Sequence, residues 1–291
     1  MTGLDRPPEA VVADARNEGQ DDDTASSRVN VVVADPAATG DATPTDEGYE
    51  GPDAVACGHL AAALAVADAA PEIRIHHGDV RLTSDGPWLV LAPLGGLVAT
   101  VAKGTATATV TVPLDSDAGV SVGSRLDGVR STLDDVLAAA RASHAYYPID
   151  DDEHGVFRTG LTTFSFVTAT ADETLRVRFD VSTTPATTRR TIVDRFASLG
   201  ADATVAVEFA VGVERASPPA GLRGAVEDAH RDVVGDAEYE WLPRPTVFSR
   251  LPTSEKLAVG GGRPGIRFGH DDFERTRDLL RGVVDHLREG T

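Results

Sequence analysis

The run Arg28-Val29-Asn30-Val31-Val32-Val33-Ala34-Asp35 constrains the fold most. It is short, rich in β-branched residues and almost continuously apolar, so it reads as a strand covered on both faces, the environment of a parallel sheet. A Gly/Pro/Thr/Asp loop over 36–52 follows, and then an Ala/Leu-rich stretch, His59 to Ala69, with helical period, Gly58 before it and Pro71 just beyond. Strand, loop and helix in this order open an α/β domain.

From Trp88 to Val112 the pattern changes to strands, with Lys103-Gly104 as the turn between Gly95–Ala102 and Thr105–Val112. Ser124 to Ala142 is an amphipathic helix with Leu126, Val129, Leu133, Val136 and Leu137 on one face. Residues 155–170 and 174–181 alternate as an antiparallel pair around Ala171-Asp172, a helix over 187–199 ends at Gly200, and Thr204 to Val211 closes the group. With the first strand of the opening hairpin set aside, the order is βαββαβ, the split-βαβ arrangement of a four-stranded sheet with two helices on one face. The α/β pattern then resumes. It runs through a helix at Gly221–Val234, short strands near Tyr239–Trp241 and Thr246–Phe248, a helix turn at Thr253–Val259, a strand at Gly265–Phe268 and a final amphipathic helix, Asp271–Arg288. Residues 28–92 and 214–291 are therefore expected to form one discontinuous α/β domain, and 93–213 a ferredoxin-like insertion. Residues 1–27, a short helix at Pro8–Asn17 followed by an acidic tract, are expected to be disordered or loosely attached.

The chain of 291 residues carries 46 acidic and 27 basic side chains, a net charge of −19, and Lys103 and Lys256 are its only lysines. No basic cluster rises above this acidic field, which argues against nucleic acid as a partner. Acidic residues in excess, scarce lysine, abundant Ala and Val and 5% aromatics resemble proteins of salt-rich, haloarchaeal cytoplasm. A single cysteine, Cys57, permits neither an intrachain disulfide nor a cysteine zinc knuckle, and a cytoplasmic location is expected. The first 27 residues lack the pattern of a secretory leader, and no apolar run has the length to cross a bilayer, so no membrane partner is expected.

Particular stretches carry a family resemblance. Ala216-Ser217-Pro218-Pro219, the helix Leu222–Val234 and Gly235 form a proline-rich entry to a helix ending in glycine. Pro252 to Val259 and Arg263 to Gly269 are similar to a T-S-D-A-R-x-L turn followed by G-I-P-x-V-x-F-G, Leu175 to Pro185 to an R-x-D-x-R-x-x-P strand end, and Asp53 to Ala69 to a D-M-K-G-x-L-A-A-A-L-A helix. Together they resemble the acetylornithine deacetylase / succinyl-diaminopimelate desuccinylase / glutamate carboxypeptidase family of zinc amidohydrolases, over about 200 residues in all. The resemblance implies a zinc-peptidase-like α/β domain carrying a ferredoxin-like lid, and a homodimer formed through the lid by strand or helix pairing.

A dinuclear zinc site of that family needs about five His and carboxylate ligands, one carboxylate bridging the ions, and a free Glu as base. Where the family has H-x-D-x-x-P stands Val33-Ala34-Asp35-Pro36, so only Asp35 matches. The bridging Asp of D-M-K-G falls near Val55, where neither it nor its immediate neighbours can bridge cations, the Glu-Glu pair has no counterpart between Ala69 and Asp79, and Ala108 to Pro113 lacks the histidine of A-H-S-S. His270, in His270-Asp271-Asp272-Phe273-Glu274, has the spacing of the last ligand. The same residues also read as the start of the final helix, with acidic side chains suited to its first turn.

His76-His77-Gly78-Asp79 offers His77 and Asp79 as alternative metal ligands, against a reading as an exposed turn, since adjacent strand residues point to opposite faces. The remaining histidines, His59 and His230 among them, are expected in surface-like settings. Cys57 beside His59 admits a nucleophile reading or that of a buried apolar thiol. Gly260-Gly261-Gly262-Arg263 lacks the P-loop Lys-Ser/Thr and reads as a flexible turn. Three functions stay open. The first is a shortened, catalytically inactive family member that binds a small amino-acid-like ligand or pairs through its lid, with no cofactor. The second is an active amidohydrolase of N-acyl amino acids, with zinc held by Asp35, His77, Asp79 and His270. The third is an interaction module acting through the lid.

Overall fold

In the computed structural model the described residues are 7–18, 29–34, 41–70, 73–77, 86–114, 121–141, 150–151, 155–156, 162–185, 187–242 and 246–289. In chain order the elements are α1 (Pro8–Glu18), β1 (Val29–Val33), β2 (Thr43–Thr45), β3 (Gly48–Glu50), α2 (Ala54–Ala67), β4 (Ile73–His76), β5 (Trp88–Leu91) and β6 (Val98–Ala102). Next come β7 (Gly104–Pro113), α3 (Val122–Arg141), β8 (Asp150–Asp151), β9 (Gly155–Val156), β10 (Thr163–Ala171), β11 (Thr174–Thr183), α4 (Arg189–Asp194) and β12 (Thr204–Val211). The chain ends with β13 (Glu214–Arg215), α5 (Ala220–Val233), β14 (Tyr239–Leu242), α6 (Val247–Arg250), β15 (Lys256–Val259), β16 (Arg267–Gly269) and α7 (His270–Glu289).

Two compact units result, 1–102 with 215–291 and 103–214. In the first, the main sheet runs β13-β6-β15-β5-β1-β4, with β14 also on β6. β1 lies parallel between β4 and β5, and all five of its residues are buried, as an unbroken β-branched run requires. One face packs against α1, α2, α5 and α7 through Val31, Leu89, Leu257, Leu60, Val226 and Leu280. The other face packs Val32, Trp88 and Val90 against Leu242, Val247 and Phe248.

Several expectations give way here. Val98–Ala102 does not form a hairpin with β7. It pairs antiparallel with β15 and parallel with β14, so the insertion begins at 103 rather than 93. The Thr253–Val259 stretch is no helix turn, because Lys256–Val259 is a fully buried strand between β5 and β6. Four residues cannot close a helical turn and also cross a sheet, and the two strand ladders outweigh the weak local preference of Leu and Ala for helix. Thr246 to Phe248, read as a strand, instead caps and starts α6, the Thr246 hydroxyl accepting from Phe248 N–H. Residues 8–18 are also not loose: Val11 and Val12 are buried in the core beside α2.

Lys256 is fully buried in this sheet. Its ammonium lies 4.9 Å from the Phe248 ring centroid and donates to Leu251 O at 3.1 Å, a cation–π contact and a hydrogen bond that offset part of its desolvation.

The second unit has the expected βαββαβ order, with an antiparallel sheet β10-β11-β7-β12. Ala106, Ala108, Val110, Val177, Phe179 and Val181 alternate inward against Val136, Ala139, Ile192 and Phe196. Leu126, assigned to the inner face of α3, is 65% exposed, because the first turns of that helix extend past the packed ones. No helix among the described residues is long and apolar enough to cross a membrane.

In the first unit, α2 approaches β16 closely at Gly58, where an added Cβ would sit 2.1 Å from the Phe268 ring, while at Gly224 on α5 it would meet nothing within 4 Å. Gly58→Ala is therefore expected to lower stability by about 1–3 kcal/mol, and Gly224→Ala to raise it by up to about 1 kcal/mol. Urea unfolding followed by tryptophan fluorescence checks both, since Trp88 and Trp241 lie in this unit.

Candidate functional site

Ligands of open α/β sheets bind beyond the C-terminal ends of the parallel strands, at the point where strand order reverses. Here β1 is followed in space by β4 on one side and β5 on the other, so that point lies beyond Val33 and Leu91, with Val259 of β15 alongside. Two glycine-rich turns close this edge. Gly95 N–H donates to Gly262 O at 2.6 Å, Gly96 N–H to Gly260 O at 3.0 Å, and Ala92 N–H to Val259 O at 2.8 Å. Gly260, at φ 149°, lies so close to Ala92 that a Cβ would sit 2.4 Å from its carbonyl oxygen, so only glycine fits.

Gly260-Gly261-Gly262 is accordingly not the flexible turn its composition suggested. All three residues are buried. Helix α7 holds them from one side: Gly261 N–H donates to Thr276 Oγ1 at 2.9 Å and Gly262 N–H to Asp272 Oδ1 at 2.9 Å. The second Asp272 oxygen accepts from Gly269 N–H at 3.3 Å. His59 of α2 holds them from the other, its Nε2–H donating to Gly261 O at 3.0 Å, with its ring edge-on to Phe268 at 5.1 Å between centroids.

His59 is thus a core residue, 1% exposed, rather than a surface one. Burial pushes its pKa down to about 4, outweighing the Gly261 hydrogen bond and the Asp272 charge, so it is neutral at pH 7. A signal was available in the sequence, since α2 is apolar around its whole circumference and a helix of that kind buries most of the side chains it carries. His230 is buried too, its ring nitrogens on Gly96 O and, at 2.8 Å, on Gly235 O.

His76 and His77 do not form an exposed turn. Each is 8% exposed, because β4 extends to His76 and pairs with β1. His76 Nε2 donates to Asn30 Oδ1 at 2.8 Å and its ring lies 4.6 Å from that of Trp88, and burial pushes its pKa down to about 4. Of the expected metal ligands, Asp35 and Asp79 fall outside the described residues. His77 follows the end of β4, and His270 is the first residue of α7, its backbone N–H on Glu47 O at 3.1 Å.

Zinc does not fit the described residues. Val55 offers no donor, His59 Nε2 and both Asp272 oxygens are committed to backbone groups, and no group of three or more His, Cys, Asp or Glu among the described residues could hold a metal ion. Cys57 is fully buried, and burial, reinforced by Asp53 and Glu9, pushes its thiol up to about 12, so it is not a thiolate nucleophile at neutral pH.

The sequence matches no protein-family model and no curated protein. Solved structures do match. The aminopeptidase PepT of Bacillus cereus aligns with TM-score 0.55 and 10% identity over 99% of this chain and 94% of its own. A tripeptidase of Staphylococcus aureus aligns at 0.53 and 14%, over 92% of this chain and 83% of its own. The YXEP protein of Bacillus subtilis, a dinuclear metal-binding peptidase of the M20 family, aligns at 0.51 and 8%, over 95% and 90% respectively. At such identities the likeness is one of fold: an α/β architecture of the M20 metallopeptidase type.

The two depressed histidines couple stability to pH. Folded values near 4 against an unfolded value near 6.5 mean that the unfolded chain binds more protons between those limits, so their contribution is complete above pH 6.5 and is lost as pH falls toward 4. Each contributes up to about 3 kcal/mol. Urea unfolding between pH 7 and 5 is expected to show a falling free energy, with a shallower slope in His76→Gln.

Proposed function

We propose that this chain uses a metallopeptidase-type scaffold without its dinuclear chemistry, and that the C-terminal edge of the main sheet binds a small amino-acid-like ligand. One observation carries the reading: the donors that α2 and α7 bring to this edge, His59 and Asp272, are spent on the backbone of Gly261, Gly262 and Gly269, and Val55 stands where the family resemblance requires the bridging carboxylate. His59 Nε2, protonated toward Gly261 O, has no lone pair for a metal, and each Asp272 oxygen already gives one of its lone pairs to a backbone N–H.

The test is metal content and activity of protein refolded or expressed with excess zinc or cobalt. Substoichiometric metal and no chelator-sensitive release of acyl groups from N-acyl amino acids are expected. Stoichiometric metal together with chelator-sensitive deacylation would instead establish an amidohydrolase, with Asp35, His77, Asp79 and His270 the first candidates for its ligands.

Self-association through the inserted unit is favoured by its outer strand, β12, which lies at the sheet edge and exposes Phe209 by 45% and Val211 by 37%. An open strand edge with apolar side chains is a ready template for a second copy. Light scattering is expected to give a dimer for the native chain and a monomer for Phe209→Lys. A native monomer would remove this part of the reading.

A further inference from the structure

His230 faces a backbone carbonyl with each of its two ring nitrogens. It stands in the last turn of α5 and is 2% exposed. Nδ1 lies 2.8 Å from Gly235 O, at the end of its own helix, and Nε2 contacts Gly96 O, in the turn between β5 and β6. A carbonyl oxygen can only accept, so a ring that bonds to both must donate from both nitrogens. A neutral imidazole has a single N–H and would set the lone pair of its other nitrogen against that of an oxygen. Both bonds form only in the imidazolium, and the C-terminal end of a 14-residue helix is where the helix dipole favours a cation.

The two carbonyls differ in what can replace the ring. Gly96 is buried, its N–H on Gly260 O at 3.0 Å, and Arg275 Cδ and Val234 Cγ1 close over it, 3.4 and 3.5 Å from where a Cβ would stand. Gly235 is half-buried, its N–H on His230 O at 3.0 Å. Water can take the place of Nδ1–H at Gly235 O but has no such access to Gly96 O, so a neutral ring keeps the Gly96 bond and releases Gly235. Of the charged groups on the elements packed around the ring, Arg275 of α7 extends past Gly96, and His286 of α7 pairs with Asp232. On α5 itself Glu227 accepts from Arg223 and Tyr239, and Arg231 pairs with Asp228 and Asp236. Among the described residues no carboxylate bonds to the ring, so its charge is met by the two carbonyls and the helix end.

We propose that His230 is a proton-operated clasp between the end of α5 and the glycine turn that follows β5. Protonated, the ring joins Gly235 to Gly96. Loss of the Nδ1 proton to solvent frees Gly235, and the segment after α5 is then held to β6 through Glu238 O, which accepts from Val98 N–H at 3.0 Å. The proton thus sets how firmly residues 235–238 are seated against the turn. The clasp follows from hydrogen-bond geometry within the first unit and does not depend on what the strand-end edge binds.

NMR of the isotope-labelled full chain, titrated between about pH 5 and 9, tests the clasp through the ring nitrogens and two backbone amides. At the acid end both ring nitrogens of His230 are expected to carry protons. As pH rises Nδ1 is expected to lose its proton, and the amide of Asp236, which follows the Gly235 carbonyl, to shift with the same midpoint, while the amide of Leu97, which follows Gly96, shows no shift at that midpoint. In His230→Gln, whose amide can hydrogen-bond but does not titrate, the Asp236 shift is expected to be lost. A ring with one bare nitrogen throughout, a ring protonated throughout, or a deprotonation that moves Leu97 or leaves Asp236 unmoved would overturn the proposal. These are read on the native chain and do not require the variant to fold. An Asp236 shift that survives in the folded Gln variant would overturn it as well, since another group would then be its source.

Discussion

The hydrogen bonds that lock Gly95-Gly96 to Gly260-Gly261-Gly262 are the constraint on which the rest of the first unit depends. They join the ends of β5 and β15 across a sheet whose strands come from opposite ends of the chain, on either side of a 112-residue insertion, residues 103–214. Helix α2 reaches this junction through His59, and α7 reaches it through Asp272 and Thr276. The close approach is possible only because the residues at the crossing have no side chains. Buried backbone amides there would each cost about 1–3 kcal/mol if left unpaired, so the surrounding polar side chains are committed to them.

That commitment links fold to function. A metal cage and a backbone clamp compete for the same lone pairs, and at this edge the described donors serve the clamp. The fold is of the M20 metallopeptidase type, while the described polar side chains of this edge hold backbone groups. Fold and site carry separate messages here, as they do wherever one scaffold hosts several chemistries.

The inserted unit was legible because its strands alternate. Thr105, Thr107, Thr109 and Thr111 against Ala106, Ala108 and Val110 assign one face to solvent and one to the core without any tertiary knowledge. The main sheet was harder. β15 is four residues long, buried throughout between two neighbouring strands, and carries no period by which strand can be told from helix or turn. The histidines were misplaced for a related reason: polarity predicts exposure on average, but His59, His76 and His230 each found a buried oxygen within hydrogen-bond reach.

The sequence by itself determined the α/β class, the βαββαβ order of the insertion, the acidic surface and the replacement of family ligands such as Val55, because these follow from local pattern and residue chemistry. Tertiary structure alone decided that Val98–Ala102 belongs to the main sheet and that the glycine tract is a buried clamp. These are contacts between segments more than 150 residues apart, or choices between ladders of similar local preference. Long-range hydrogen bonding settles them, and no window along the chain contains it.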